Sequence, residues 1–360
     1  MKNTYKLIIS FLFAGLLICS VFAAPKEIIQ TEVASIDKHG NANLAIKGTS
    51  FASRGFSASD IVNVKAGNFK FTAPIVKDYS DVNVGEFLVR LNNEEASIAI
   101  NMKNFSQVSG VKVGDKVTIT MKSKYGYLTA YHVRLLKKDD NRENFASDQA
   151  FSNFRNVTIG NIVPGRLYRS ASPISGEANA SYAAKLMEDA SVNIVLNLAD
   201  SKEEAEQKMS AAPYYERLAK EKKVVFLDMG TTFTDAAFSE KFREGLIFIA
   251  EHPGCTYYIH GKDGKNRTGF VISVLGSICG ASIQEMNDEY MKSFEDLYKV
   301  EKESRPYEEI LKGVPFIFET LSSGAKVTDK NLQKYTERYL LFTLGLTQDQ
   351  VNKIKANLTE

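Results

Sequence analysis

The segment Tyr257-Tyr258-Ile259-His260-Gly261-Lys262-Asp263-Gly264-Lys265-Asn266-Arg267-Thr268-Gly269-Phe270 carries residues suited to holding a tetrahedral anion. An apolar strand runs through a tight polar loop into an apolar helix. The first amides of a helix lack intrahelical acceptors, and the helix N-terminus is partially positive. A glycine-bearing loop that wraps into such an end can aim several N–H groups at one point. The residues from Lys262 to Arg267 would form this cradle: Lys262, Asp263, Gly264, Lys265, Asn266 and Arg267. Arg267 adds a guanidinium fork, Lys262 and Lys265 add point charge, and Thr268 adds a hydroxyl. The chemistry expected is phosphate binding.

Every position from His260 to Gly269 except Gly261 resembles the signature of the cysteine-dependent tyrosine and dual-specificity phosphatases, His-Cys-x5-Arg-Ser/Thr. Phe154-Arg155-Asn156-Val157, Gly165-Arg166-Leu167-Tyr168-Arg169-Ser170 and the stretch from Tyr339-Leu340 to Gly345-Leu346 are similar to bacterial members of that superfamily. The resemblance runs from about Phe151 to the end. It implies that a cysteine thiolate at position 261 attacks phosphorus, that Arg267 and the loop amides hold the equatorial oxygens, and that an upstream aspartate protonates the leaving oxygen.

Gly261 has no side chain with which to attack. Losing a covalent nucleophile in a comparable hydrolase costs on the order of a million-fold in turnover. Cys255 lies a whole strand away from the loop, and Asp263 is not at the nucleophile's position. The chain is therefore expected to be inactive as written. Binding need not suffer, because a thiolate repels a phosphate dianion at contact. Asp228, at the end of a strand, and Asp235, before a helix, both stand where the general acid is expected, and Asp228 is preferred. Each has a structural reading as well, a strand-end turn for Asp228 and a helix N-cap for Asp235. Lys262 and Lys265 flanking Gly264 look like the loop of phosphoinositide and inositol-phosphate phosphatases. The other reading leaves both lysines in solvent.

These residues need a scaffold, and the sequence after about Phe151 supplies alternating elements. Strands are expected at Val192–Leu198, Val224–Leu227 and Thr256–Ile259. Helices are expected at Ser181–Ala190, Lys202–Lys222 with a break near Pro213, Asp235–Glu251 and Thr268–Ile278. Such alternation implies α/β architecture, a parallel sheet with helices on both faces, followed by a helical extension from Ala281. Residues 25–137 read instead as an all-β barrel or sandwich. Its short apolar runs are Phe69–Phe71, Glu86–Leu91, Ala96–Ile100, Lys116–Met121 and Tyr127–Leu136. The polar stretch 138–150 reads as a linker.

Within the first region, Gly48-Thr49-Ser50-Phe51, Tyr79-Ser80-Asp81-Val82 with Gly85-Glu86, Ile98-Ala99-Ile100-Asn101 through Asn104, and Gly114-Asp115-Lys116-Val117 resemble the small C-terminal barrel of the S-adenosylmethionine hydroxide adenosyltransferases. The larger domain with which that barrel works has no counterpart in the sequence. A docking or structural module is expected here, without transferase activity.

Lys2 and Lys6, the apolar run Leu7–Phe22 and the small pair Ala23-Ala24 read as a signal peptide over residues 1–24, so export to the periplasm or beyond is expected. No stable membrane span follows it. The 360-residue chain carries a net charge of +2, and loss of Lys2 and Lys6 brings it near neutrality, which argues against nucleic acid as a partner. The four histidines are scattered, so neither a metal site nor a cofactor is expected. Cys255 and Cys279 could pair in an oxidising compartment, but their spacing does not decide it. The reading is an exported pseudophosphatase that binds a phosphorylated protein or an inositol phosphate. Two alternatives stay open: an active phosphoric monoester hydrolase, and a scaffold that binds no phosphate.

Overall fold

The computed structural model describes residues 28–231 and 233–360. The expected signal peptide lies outside them. The chain forms two compact units that divide between Leu128 and Thr129.

The first unit is a closed barrel. Its strands are β1 (Ile28–Ile36), β2 (Ala42–Leu44), β3 (Ile61–Ala66), β4 (Phe69–Val76), β5 (Phe87–Leu91), β6 (Ala96–Ile100) and β7 (Lys116–Ser123). They follow the order β1-β2-β6-β5-β4-β3-β7, and β7 pairs back onto β1. Alternation sets the faces: β3 buries Val62, Val64 and Ala66 while Asn63 and Lys65 face water. Phe69, Phe71, Phe87 and Phe105 cluster with ring centroids 4.7 to 6.4 Å apart. Gly48 is forced by packing, since a Cβ there would lie 1.7 Å from the carbonyl oxygen of Asn92.

The expected strand at Tyr127–Leu136 is a helix, Leu128–Arg134. Val133 and Leu136, three residues apart, pack on a cluster that contains Met291, Phe294 and Ile310. The apolar run is contacted at helical spacing, and its length alone did not reveal that. The stretch expected as a linker is also structured. Asp139 N–H donates to Leu297 O (2.9 Å), Ser147 caps the short helix Asp148–Phe151, and Phe145 is buried with Phe151 and Leu297. One buried aromatic and a capped turn anchor a segment whose composition is otherwise polar.

The second unit is built on a five-stranded sheet: β8 (Arg155–Asn156), β9 (Leu167–Ser170), β10 (Ile194–Asn197), β11 (Val224–Phe226) and β12 (Tyr257–His260), in the order β11-β10-β12-β9-β8. Four strands are parallel, and β8 pairs antiparallel with β9 at the edge. The chain returns from β8 to β9 without a crossover helix, so that pair cannot be parallel. Side chains alternate between the two faces. Leu196, Tyr257 and Ile259 pack with Phe242 and Leu246 of the Ala236–Ala250 helix and with Val271 and Leu275 of the Asn266–Ile278 helix. On the other face Val195 and Tyr258 pack with Met187, Tyr215 and Leu218 from the helices Ala180–Asp189 and Pro213–Lys220. The C-terminal helices extend the first core through Leu340, Ile354 and Leu358. Among the described residues no helix is long and apolar enough to cross a membrane.

Candidate functional site

Register places the site. Asn197, His260 and Ser170 are neighbours at the carboxyl ends of β10, β12 and β9. Ligands of open α/β sheets bind outside this edge. Here the chain leaves β12, forms the loop 261–265 and enters the Asn266–Ile278 helix. The backbone amides from Lys262 to Asn266 make no hydrogen bond among the described residues. A run of unpaired amides leading into a helix N-terminus is an anion cradle.

The loop is held from behind through its carbonyls. Asn153 Nδ2 donates to Asp263 O (2.9 Å) and to Gly264 O (3.1 Å), and the Arg169 guanidinium donates to Gly264 O as well. Arg169 is fully buried. It shares Glu289 with Arg155, with Nη1 to Oε1 at 3.1 Å and Arg155 Nε to Oε1 at 2.9 Å, and both arginines reach Ser293 Oγ at 3.1 Å. Burial, and then the proximity of Arg155, push Arg169 down to about 9. Two guanidiniums against one carboxylate leave a net positive charge beside the loop. The resemblance noted for Phe154–Val157 and Gly165–Ser170 thus falls on segments that contribute Arg155 and Arg169 to this brace.

The loop glycines differ in what they are for. Gly264 has φ +64°, and a Cβ on it would lie 2.1 Å from Ser170 O, so only glycine fits. A Cβ on Gly269 would meet the Tyr290 ring at 2.5 Å. Gly261 is under neither constraint: its φ is ordinary, and a Cβ would approach Thr268 Oγ1 alone, at 3.2 Å. Thr268 is fully buried, and its hydroxyl has no hydrogen-bond partner among the described residues.

Arg267 is held in place by two carbonyls. Its Nη1 donates to Leu198 O (3.0 Å) and Met229 O (2.6 Å), just past the ends of β10 and β11. Nε and Nη2 remain for an anion. Burial lowers its pKa, and Asp200, then Asp228, then Asp263 oppose the shift. The guanidinium borders a cleft of about 380 Å³ together with Ser172, Glu177, Asp200, Lys208 and Lys262.

Other expected residues are placed differently. Lys262 is exposed at the cleft, with Nζ 3.4 Å from Glu177. The Asp263 carboxylate turns to Lys138 (3.3 Å) in an adjoining pocket. Asn266 Oδ1 accepts from Tyr290 OH at 3.3 Å. Lys265, expected beside the phosphate, is instead directed at the Ile283–Tyr298 helix. Its ammonium donates to Tyr298 OH (3.0 Å) and sits over the rings of Tyr298 (4.1 Å) and Phe294 (5.0 Å). Two aromatic faces and a phenol compete for it. Asp228 follows β11 with φ +41° and is exposed. Asp235 stands at the N-cap of Ala236–Ala250, but its side chain accepts no bond from the helix.

Asp200 escaped the sequence reading. It lies beyond β10, receives Lys208 Nζ (2.7 Å) and Asn197 Nδ2 (3.1 Å), and borders the cleft. Burial would raise its pKa, but the hydrogen bonds from Lys208 and Asn197 hold it below the ordinary carboxylate value. Asn197 also donates to Tyr215 OH (3.1 Å), which bonds His260 Nε2 (3.2 Å). His260 is buried, and burial takes it down to about 4, so it is neutral at physiological pH. An acidic residue directly after a strand on the loop's side of the sheet was the available signal. Cys255 and Cys279 both carry free thiols, and β12 separates Cys255 from the loop.

A mostly parallel sheet whose central strand ends in an amide-lined loop with a fixed arginine is an α/β domain arranged to receive an anion. Residues 149–360 match the tyrosine phosphatase family, and the chain belongs to that family. Residues 31–118 match the SAM hydroxide adenosyltransferase C-terminal domain. No curated protein matches the chain. Similar solved structures include these three. An uncharacterized conserved protein from Thermotoga maritima is 35% identical, over 26% of this chain and 36% of that one, with a TM-score of 0.25. A conserved hypothetical protein from Thermus thermophilus is 21% identical, over 25% and 34%, with a TM-score of 0.20. The core catalytic domain of the PP-IP phosphatase SIW14 from S. cerevisiae, in complex with citrate, is 21% identical, over 45% and 84%, with a TM-score of 0.28. The chain spans about a third of the length of the first two.

Proposed function

We propose that this protein is an exported pseudophosphatase: it binds a phosphorylated ligand through the loop His260–Gly269 and does not turn it over. One observation carries the reading. Gly261 offers no nucleophile, while the unpaired loop amides and the pinned Arg267 beside it remain arranged for an oxyanion. The buried polar groups nearby offer no substitute: the His260 ring is fully buried with Nε2 engaged by Tyr215, and the buried Thr268 hydroxyl has no hydrogen-bonded base to activate it. Arg267 and the amides of Lys262 to Asn266 would hold the phosphoryl oxygens, with Thr268 and Lys262 at the margins. Asp228 would serve as acid only if a nucleophile were restored. Export rests on the N-terminal reading of Lys2 to Ala24.

The test compares wild type with Gly261→Cys on p-nitrophenyl phosphate. Turnover confined to the variant, with Arg267-dependent phosphate binding in the wild type, supports the proposal. Equal turnover in both would show that the protein is an active hydrolase, and an absence of any Arg267-dependent binding would favour a scaffold.

A further inference from the structure

Resting on the phosphate-binding reading, we propose that the cleft selects a ligand carrying a single phosphoryl group, and that Glu177 is the residue that turns polyphosphorylated ligands away.

The charges around the cleft carry this. Its cations are Lys208, Lys262 and Arg267, and its carboxylates are Glu177, Asp200 and Glu204. Lys208 is paired with Asp200 at 2.7 Å and Lys262 with Glu177 at 3.4 Å. Arg267 differs, since its hydrogen bonds among the described residues all go to backbone carbonyls. The cleft therefore offers one uncommitted cation and one run of unpaired amides, a match for one phosphoryl group. Lys265, which would supply a second site for charge, is committed to Tyr298 and Phe294.

What lies beside the cleft is acidic. The adjoining pocket of about 400 Å³ sets Asp140, Glu177 and Asp263 against Lys138 and Lys262. Glu177 borders both spaces and is held there from two sides, by Lys138 and by Lys262. A ring with phosphates on neighbouring carbons would place its second and third groups against Glu177, Glu204 or Asp263. Glu177 keeps Lys138 and Lys262 from a second phosphoryl group, and Glu204, which no salt bridge among the described residues compensates, repels one. A monoester whose remainder is neutral or cationic meets no such opposition.

Calorimetry on the full chain with inorganic phosphate, phenyl phosphate and inositol hexakisphosphate tests the inference, with Arg267→Ala marking binding at the cleft. Phenyl phosphate is expected to bind at least tenfold more tightly than inositol hexakisphosphate. Glu177→Gln should narrow that gap at least threefold, chiefly by strengthening the hexakisphosphate. Glu204→Gln, outside the Lys138 and Lys262 pairs, should act in the same direction and guards against a loop merely loosened by the first change. Arg267-dependent binding of the hexakisphosphate as tight as that of phenyl phosphate would overturn selectivity while leaving phosphate binding intact. A gap that neither variant narrows would overturn the role of the carboxylates. Silence from all three ligands, inorganic phosphate included, would overturn both the inference and the reading beneath it.

Discussion

The hydroxyl of Thr268 stands 3.2 Å from the point where a Cβ on Gly261 would sit, and it has no hydrogen-bond partner among the described residues. A residue that could accept a side chain without backbone strain is a glycine. Three residues on, Gly264 is a glycine because nothing else fits. The two positions separate a glycine that the fold does not require from one that it does.

Substitutions should report that difference. Gly261→Ala is expected to fold, with unfolding free energy within about 1 kcal/mol of wild type, since the gain from a stiffer unfolded chain offsets a slight shift of Thr268. Gly264→Ala combines a left-handed backbone with an overlap on Ser170 O and should lose at least about 2 kcal/mol. Urea unfolding followed by near-UV circular dichroism measures both.

The two loop lysines should behave unequally. Lys265→Met removes a cation–aromatic contact and should lower stability by about 1 kcal/mol while changing phosphate affinity by less than about twofold. Lys262→Met should leave stability unchanged and weaken phosphate binding about fivefold, the worth of one screened charge at contact. Thermal melts and phosphate titrations on the two variants decide it, and a larger loss of affinity from Lys265→Met would contradict the placement of its ammonium.

Removing the carboxylate behind the loop should cost more than removing any charge in front of it. Glu289→Ala leaves Arg155 and Arg169 facing each other with burial uncompensated, and a loss of about 3 kcal/mol is expected. Arg169 would then hold Gly264 O less firmly, so phosphate affinity should fall in whatever fraction remains folded. Denaturant titration with and without saturating phosphate separates the two effects.

His260 should make stability fall as acid is added. Its native value of about 4 lies below the ordinary 6.5, so between those values the unfolded chain binds a proton that the native chain refuses. The contribution is fully present above about pH 6.5, declines by about 1.4 kcal/mol for each unit below it, and levels off below about 4. Urea unfolding at pH 7, 6 and 5 should show that slope, and His260→Asn should flatten it over the same interval.

The sequence by itself determined the strand–loop–helix at residues 257–278, the glycines and arginine within it, and the change from β to alternating α/β elements. Those features are local: strand, loop and helix are contiguous, and each is set by residue type and period. Tertiary structure alone decided where the charges went. Lys265 turns to Tyr298 because the Ile283–Tyr298 helix brings the rings of Phe294 and Tyr298 to it. Arg155 and Arg169 stand behind Gly264 because β8 and β9 pair beside β12. Asp200 enters the cleft because β10 ends in register with His260. Spacing along the chain states which groups are near in sequence, whereas a side chain's direction depends on partners that only the packed sheet and its helices supply.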